Sequence, residues 1–128
     1  MNKGLLFVVS APSGCGKGTI LSEILNERIY FSVSSTTRKP RNGEVDGVDY
    51  NFITVSQFKE LIEENGMLEY AEYCGNYYGT PKNMVEKMRC AGKNVILEID
   101  VQGAMQVKEN CKDAILVCLL YTSDAADD

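Results

Sequence analysis

Histidine is missing from the 128 residues, and the five cysteines, Cys15, Cys74, Cys90, Cys111 and Cys118, show no paired short spacing. Zinc sites draw on closely spaced Cys and His, so no zinc site is expected, and no disulfide framework either. The thiols read as small apolar side chains in a reducing compartment. A basic surplus is also lacking: 13 Lys and Arg stand against 18 Asp and Glu, a formal net charge of −5. That argues against a general nucleic-acid-binding surface, so any anion site must be local. No apolar run approaches membrane-spanning length and the N-terminus carries no signal-peptide core, so a soluble cytoplasmic protein without a membrane partner is expected. Internal repeats are absent. What remains is a chain with 45% hydrophobic residues, enough for the core of one domain.

The most informative segment lies near the start. Leu5 to Val9 is a short apolar run with β-branched valines, and Ile20, Leu21, Ile24 and Leu25 recur at helical spacing. Between them stand Ser10, Ala11, Pro12, Ser13, Gly14, Cys15, Gly16, Lys17, Gly18 and Thr19. A glycine-rich turn that opens a helix presents unpaired N–H groups and the positive end of the helix dipole to a polyanion. Ala11 to Thr19 is therefore expected to hold nucleotide phosphates, with Lys17 supplying the point charge on the transferring phosphoryl group. The segment departs from the phosphate-loop pattern G-x-x-x-x-G-K-[ST], having Ala11 at the first glycine and Gly18 at the hydroxyl position. Thr19, one residue on, offers a hydroxyl near the usual Mg²⁺ position. The competing account is a glycine-rich strand-to-helix turn with no ligand.

Further along, Phe31 to Ser34 alternates as a strand, and residues 38–49 read as loops punctuated by Pro40, Asn42-Gly43 and Asp46-Gly47. Thr54 and Gln57 fit a capping box for a helix whose apolar face is Phe58, Leu61 and Ile62, stopped at Gly66. Met67 to Tyr73 and Tyr77-Tyr78 read as strands joined through Cys74-Gly75-Asn76, followed by a helix from about Lys82 to Ala91 that Gly92 ends. Asn94 to Ile99 and Ala114 to Leu120 read as apolar strands around a helix reaching Asn110. Strands alternating with helices predict an α/β fold with a mostly parallel sheet, whose ligands bind at the carboxyl ends of the strands. The acidic end, residues 118–128, reads as a non-native tail.

Phe31 to Arg41 (FSVSSTTRKPR), Gly43-Glu44, Gly47 to Phe52 (GVDYNF), Gly75 to Thr80 (GNYYGT) and Leu97 to Gly103 (LEIDVQG) together resemble guanylate kinase, in order and spacing from about Leu5 to Val117. The resemblance implies a P-loop NTPase-type parallel core with helices on both faces, residues 1–33 and 83–117, and an inserted small α+β GMP-binding subdomain, residues 34–82. It implies that Arg38, Arg41, Tyr50 and Tyr78 bind the GMP phosphate, which suits two guanidinium forks and two phenols. Ser34, Glu69 and Thr80 match the guanine positions: one carboxylate can accept both N1–H and the 2-amino group, whereas adenine would face it with a lone pair. Asp100, with Gln102 beside it, falls where acceptor nucleotide and strand end meet. Taken singly, the arginines read as solvated loop charges, the tyrosines as core, Glu69 as a surface carboxylate and Asp100 as a helix-start residue.

The implied reaction is in-line transfer from MgATP to GMP or dGMP, with Lys17, Arg38 and Arg41 as the catalytic charges and Thr19, with Glu98 or Asp100 through water, ordering Mg²⁺. No nucleic-acid or obligate protein partner is implied. The family's lid arginines, last strand and last helices have no counterpart in these residues, so the chain as given is expected to be nearly inactive while still able to bind GMP. Two rivals remain: a guanylate-kinase-like module that binds a phosphopeptide, which would not need Lys17 and Thr19, and a kinase for another small phosphorylated acceptor. Cys15, expected at a helix N-terminus beside Lys17, would have its thiolate favoured there. ATP should therefore slow its alkylation by a thiol reagent, and labelling at an equal rate with and without ATP would contradict its place in the loop.

Overall fold

The computed structural model describes residues 3–10 and 28–118. Four strands, β1 (Leu6–Ser10), β2 (Ile29–Phe31), β7 (Asn94–Glu98) and β8 (Ile115–Cys118), form a wholly parallel sheet in the order β2-β7-β1-β8. Its central strands carry the continuous apolar runs Leu6 to Val9 and Val95 to Leu97 because both faces are covered there. Leu6 and Val8 of β1 point with Val95 and Leu97 of β7 into one cluster, while Val9 and Ile96 join a second with Phe7, Ile29 and Val117. The first cluster is covered by α2 (Lys82–Cys90) through Val85, and by α3 (Val101–Asn110) through Ala104 and Val107. The helix expected at residues 20–25 lies outside the described residues. No helix among the described residues is long and apolar enough to cross a membrane.

A second sheet holds β3 (Ser35–Thr36), β4 (Asn51–Phe52), β5 (Met67–Tyr73) and β6 (Asn76–Pro81) in the order β4-β3-β6-β5. Here β6 runs antiparallel to both neighbours, and β3 pairs β4 in parallel. Both residues of the β5–β6 hairpin loop, Cys74 and Gly75, have positive φ (52° and 81°), the backbone hand that matches strand twist. Over this sheet lies α1 (Val55–Glu63), with Phe58 fully buried and stacked 5.1 Å from the Tyr77 ring. Both halves of the Thr54–Gln57 capping box form, at 3.0 and 2.9 Å.

Two local expectations shift. The strand read as Phe31 to Ser34 is divided: β2 ends at Phe31, opposite Ile96, and the chain then leaves β7, crosses to the second sheet and resumes pairing as β3. Ser34 lies in that crossing, its carbonyl accepting from the Asn51 N–H at 2.8 Å. Helix α1 also ends one residue sooner than the glycine suggested. Asn65 takes the left-handed position (φ 58°), and bonds from Asn65 to Ile62 O and from Gly66 to Leu61 O close a Schellman motif. Asn is the side chain best able to substitute for Gly there.

The parallel sheet is tied at its amino end by Arg89, which is 1% exposed. Its Nε donates to the Gly4 carbonyl at 2.8 Å and its Nη2 to Asp113 at 2.7 Å, joining α2 to the chain before β1 and the turn before β8. Truncation orphans a buried carbonyl and leaves a cavity. Arg89→Ala is expected to cost about 2–4 kcal/mol in urea unfolding; a loss below about 0.5 kcal/mol would place the guanidinium outside the fold's support.

Candidate functional site

A cavity of about 570 Å³ opens between the second sheet with its loops and the segment Ile99 to Gln106 that follows β7. Ser34, Arg38, Arg41, Tyr50, Glu69, Tyr78 and Asp100 all line it, so the positions singled out at seven separate points of the sequence converge. Thr80 stands just behind the wall, its hydroxyl donating to Glu69 Oε2 at 2.8 Å.

One end of the cavity is cationic and phenolic. β3 delivers Arg38 through a short ladder: Thr36 Oγ1 donates to the Tyr77 carbonyl at 2.8 Å and accepts from the Arg38 N–H at 3.2 Å, while Thr37 Oγ1 accepts from the Tyr77 N–H at 2.9 Å. These bonds lock β3 to β6 and fix Arg38 beside Tyr78. The guanidinium forks onto Glu44, Nη1 to Oε1 at 3.0 Å and Nη2 to Oε2 at 3.1 Å, and lies 5.2 Å from the centre of the Tyr50 ring. Tyr50 meets Tyr78 edge-on at 6.0 Å. Glu44 Oε1 also accepts from the Arg41 N–H at 2.8 Å, so one carboxylate closes the 38–44 loop around both arginines. That pairing holds Glu44 below the ordinary carboxylate range, the Arg38 hydrogen bond being the main cause and the Arg41 N–H the next. A planar two-oxygen anion already occupies the fork, which is the geometry a phosphate requires.

The other end is a buried acceptor. Glu69, on β5, is 8% exposed. Burial raises its pKa above the ordinary value of 4.5; the Thr80 hydroxyl pulls the other way, and the charge of Asp100 adds to the rise. Asp100 caps α3, its Oδ1 accepting from the Gly103 N–H at 2.7 Å. A side chain at Gly103 would crowd both carboxylates, because a Cβ would lie 3.0 Å from Glu69 Oε1 and 3.1 Å from Asp100 Oδ1. The missing side chain brings the first turn of α3 against the carboxylate. Gly79, opposite on β6, is more tightly constrained, its Cβ position 2.8 Å from the Glu69 carbonyl.

Glu98 and Asp100, which the sequence left as alternatives, part company. Asp100 borders the main cavity and caps a helix, whereas the exposed Glu98 borders a smaller neighbouring cavity of about 210 Å³ with Ser34, Asp49 and Tyr50. The expected phosphate loop Ala11 to Thr19, including Cys15 and Lys17, and residues 119–128 of the expected tail lie outside the described residues, whereas Cys118 ends β8. Sequence reasoning assigned no role to Glu44, Gly103 or Gln106. Glu44 three residues beyond Arg41 was the one available signal, since a carboxylate near two arginines invites pairing.

The family model for guanylate kinase matches residues 3–127. A guanylate kinase of Clostridium perfringens (strain SM101 / Type A) is 57% identical over 124 residues, covering 95% of this chain and 57% of that protein. The one from Clostridium tetani is 57% identical over 124 residues, with coverage of 96% and 60%. Among solved structures, the crystal structure of guanylate kinase from Anaplasma phagocytophilum superposes with a TM-score of 0.71 at 34% identity, over 91% of this chain and 60% of that one. The chain thus spans about three fifths of the length of these relatives. With the match running through both sheets and every cavity position named above, the chain belongs to the guanylate kinase family.

Proposed function

We propose that this chain carries the acceptor site of a guanylate kinase, taking GMP or dGMP as phosphoryl acceptor and ATP as donor. The observation that supports this most is the polarity of the 570 Å³ cavity, with arginines and phenols at one end and a buried carboxylate with a hydroxyl at the other. A nucleoside monophosphate has the same polarity. The phosphate enters the Arg38 fork in place of the Glu44 carboxylate, Arg41 adds charge, and Tyr50 and Tyr78 donate phenolic hydrogen bonds. At the far end Glu69, held by the Thr80 hydroxyl, accepts from N1–H and the 2-amino group, while Ser34 offers a hydroxyl toward O6.

The nucleophile is already an anion, so no base and no covalent intermediate are needed, and the residues orient the acceptor oxygen and neutralise charge. Lys17 and the amides of the 11–19 loop take the donor phosphates. The Thr19 hydroxyl and one hard oxygen donor near the carboxyl end of β7, Glu98 or Asp100, fit Mg²⁺ held largely through water. When bound, that ion supplies charge neutralisation on the phosphate oxygens of ATP.

Calorimetric titration of the 128-residue chain tests the acceptor assignment. GMP should bind, and AMP should bind about 10²- to 10⁴-fold more weakly, because its N1 lone pair meets a buried carboxylate. Equal affinities for both would overturn the guanine assignment, and a phosphopeptide that binds where GMP does not would favour a recognition module.

A further inference from the structure

Helix α3 stands between the two sheets, and its Gln106 makes a contact that phosphate and base recognition do not explain. Its amide oxygen accepts from the Tyr70 N–H at 3.1 Å, and its amide nitrogen donates to the Tyr70 carbonyl at 3.2 Å. One turn later Asn110 donates to the Leu68 carbonyl at 2.8 Å. β5 is an edge strand, so these side chains pair main-chain groups that no further strand takes up. The two anchored residues, 68 and 70, flank Glu69. Glu69 itself is registered to Thr80 on β6, and the register of β5 slips between Met67 and Glu69. With a slipped register the hairpin alone sets the strand's position less firmly, and the contacts with α3 supply the missing constraint. Three residues before Gln106, the bare Cα of Gly103 lies against the Glu69 carboxylate. The spacing between α3 and β5 therefore decides where that carboxylate stands in the cavity.

We propose that Gln106 is a positioning residue for guanine recognition, clamping the Tyr70 backbone to α3 so that Glu69 presents both oxygens at the depth the base edge requires. The proposal rests on the GMP assignment above. A carboxylate displaced by a fraction of an ångström still carries its charge, but it no longer meets two adjacent donors at hydrogen-bonding distance. The loss falls on base discrimination and spares the phosphate end.

The test compares GMP with IMP, which keeps the phosphate, ribose, N1–H and O6 of GMP and lacks only the 2-amino group. Calorimetric titrations would use the wild-type chain, Gln106→Met, Gln106→Glu and Glu69→Gln. Gln106→Met removes both bonds to Tyr70 at nearly constant volume, and Gln106→Glu keeps the acceptor while losing the donor. The preference for GMP over IMP should fall about tenfold in Gln106→Met and by less in Gln106→Glu, with IMP affinity changed less than about twofold. A purely structural contact would weaken both nucleotides in parallel. A folded Gln106 variant with undiminished preference, parallel losses, or failure of both variants to fold would overturn the proposal. A wild-type chain without preference, or Glu69→Gln retaining it, would overturn the GMP assignment instead.

Discussion

Glu69→Gln is expected to weaken GMP binding about 10²-fold while raising the melting temperature of the unliganded chain. The carboxylate is buried at the edge of a cavity, and burial is the main reason its proton is held more tightly than usual. Keeping it ionised therefore opposes folding, and an amide of the same shape removes that cost while still accepting from Thr80. The amide cannot accept from two adjacent base donors, so the binding loss follows the cost of an unpaired buried donor, about 1–3 kcal/mol. The same raised pKa sets the pH dependence. GMP affinity of the wild-type chain should fall as pH drops through the Glu69 pKa, beginning above the range of an ordinary glutamate, and Glu69→Gln should abolish that step. Stability of the unliganded fold runs the other way: the Glu69 contribution is fully present below the unfolded value near 4.5 and is lost as pH rises through the folded pKa. Affinity and stability that move together with pH would contradict this account. Titration calorimetry and thermal melts across pH 4 to 8 measure both.

Arg38→Met should also weaken GMP about 10²-fold, yet leave binding of guanosine, which lacks the phosphate, unchanged within about twofold. The guanidinium is already aligned by Glu44 and the Tyr50 ring, so its two hydrogen bonds are gained with little ordering cost. A charge-assisted fork is worth about 1.5–3 kcal/mol. Arg38→Lys should recover only part of the loss, because an ammonium supplies charge without the fork. Parallel losses for GMP and guanosine would mean that Arg38 supports the cavity wall and not the phosphate. The Glu44 carboxylate must leave the fork when the phosphate arrives, so the affinity measured is the difference between two anions competing for one guanidinium.

Much of this site was legible in the sequence because its parts are short motifs with their own local signals. The capping box at Thr54, the glycine stop at Gly92 and the Cys74-Gly75 hairpin fixed element boundaries within a residue or two, since cap and turn chemistry is local. β3 and β4 were not legible: a two-residue strand has no periodicity, and Ser35 and Thr36 are polar although both are buried. Their burial comes from pairing with β6, a contact some forty residues away. The site residues were nameable through resemblance, but their physical state was not. Burial of Glu69 depends on Gly79 and Gly103, and the grip of Glu44 on Arg38 and Arg41 depends on how the 38–44 loop closes. Gln106 carries no motif at all, and its meaning appears only once α3 lies along the edge of β5.

The central claim, one cavity that reads a phosphate at one end and guanine at the other, is tested most directly by a crystal structure of the chain with GMP. The account predicts the phosphate in the Arg38 fork within hydrogen-bonding distance of Arg41, Tyr50 and Tyr78, Glu44 displaced from that fork, and the guanine N1 and 2-amino groups on Glu69. GMP bound elsewhere, or in this cavity with its base toward Arg38, would contradict it.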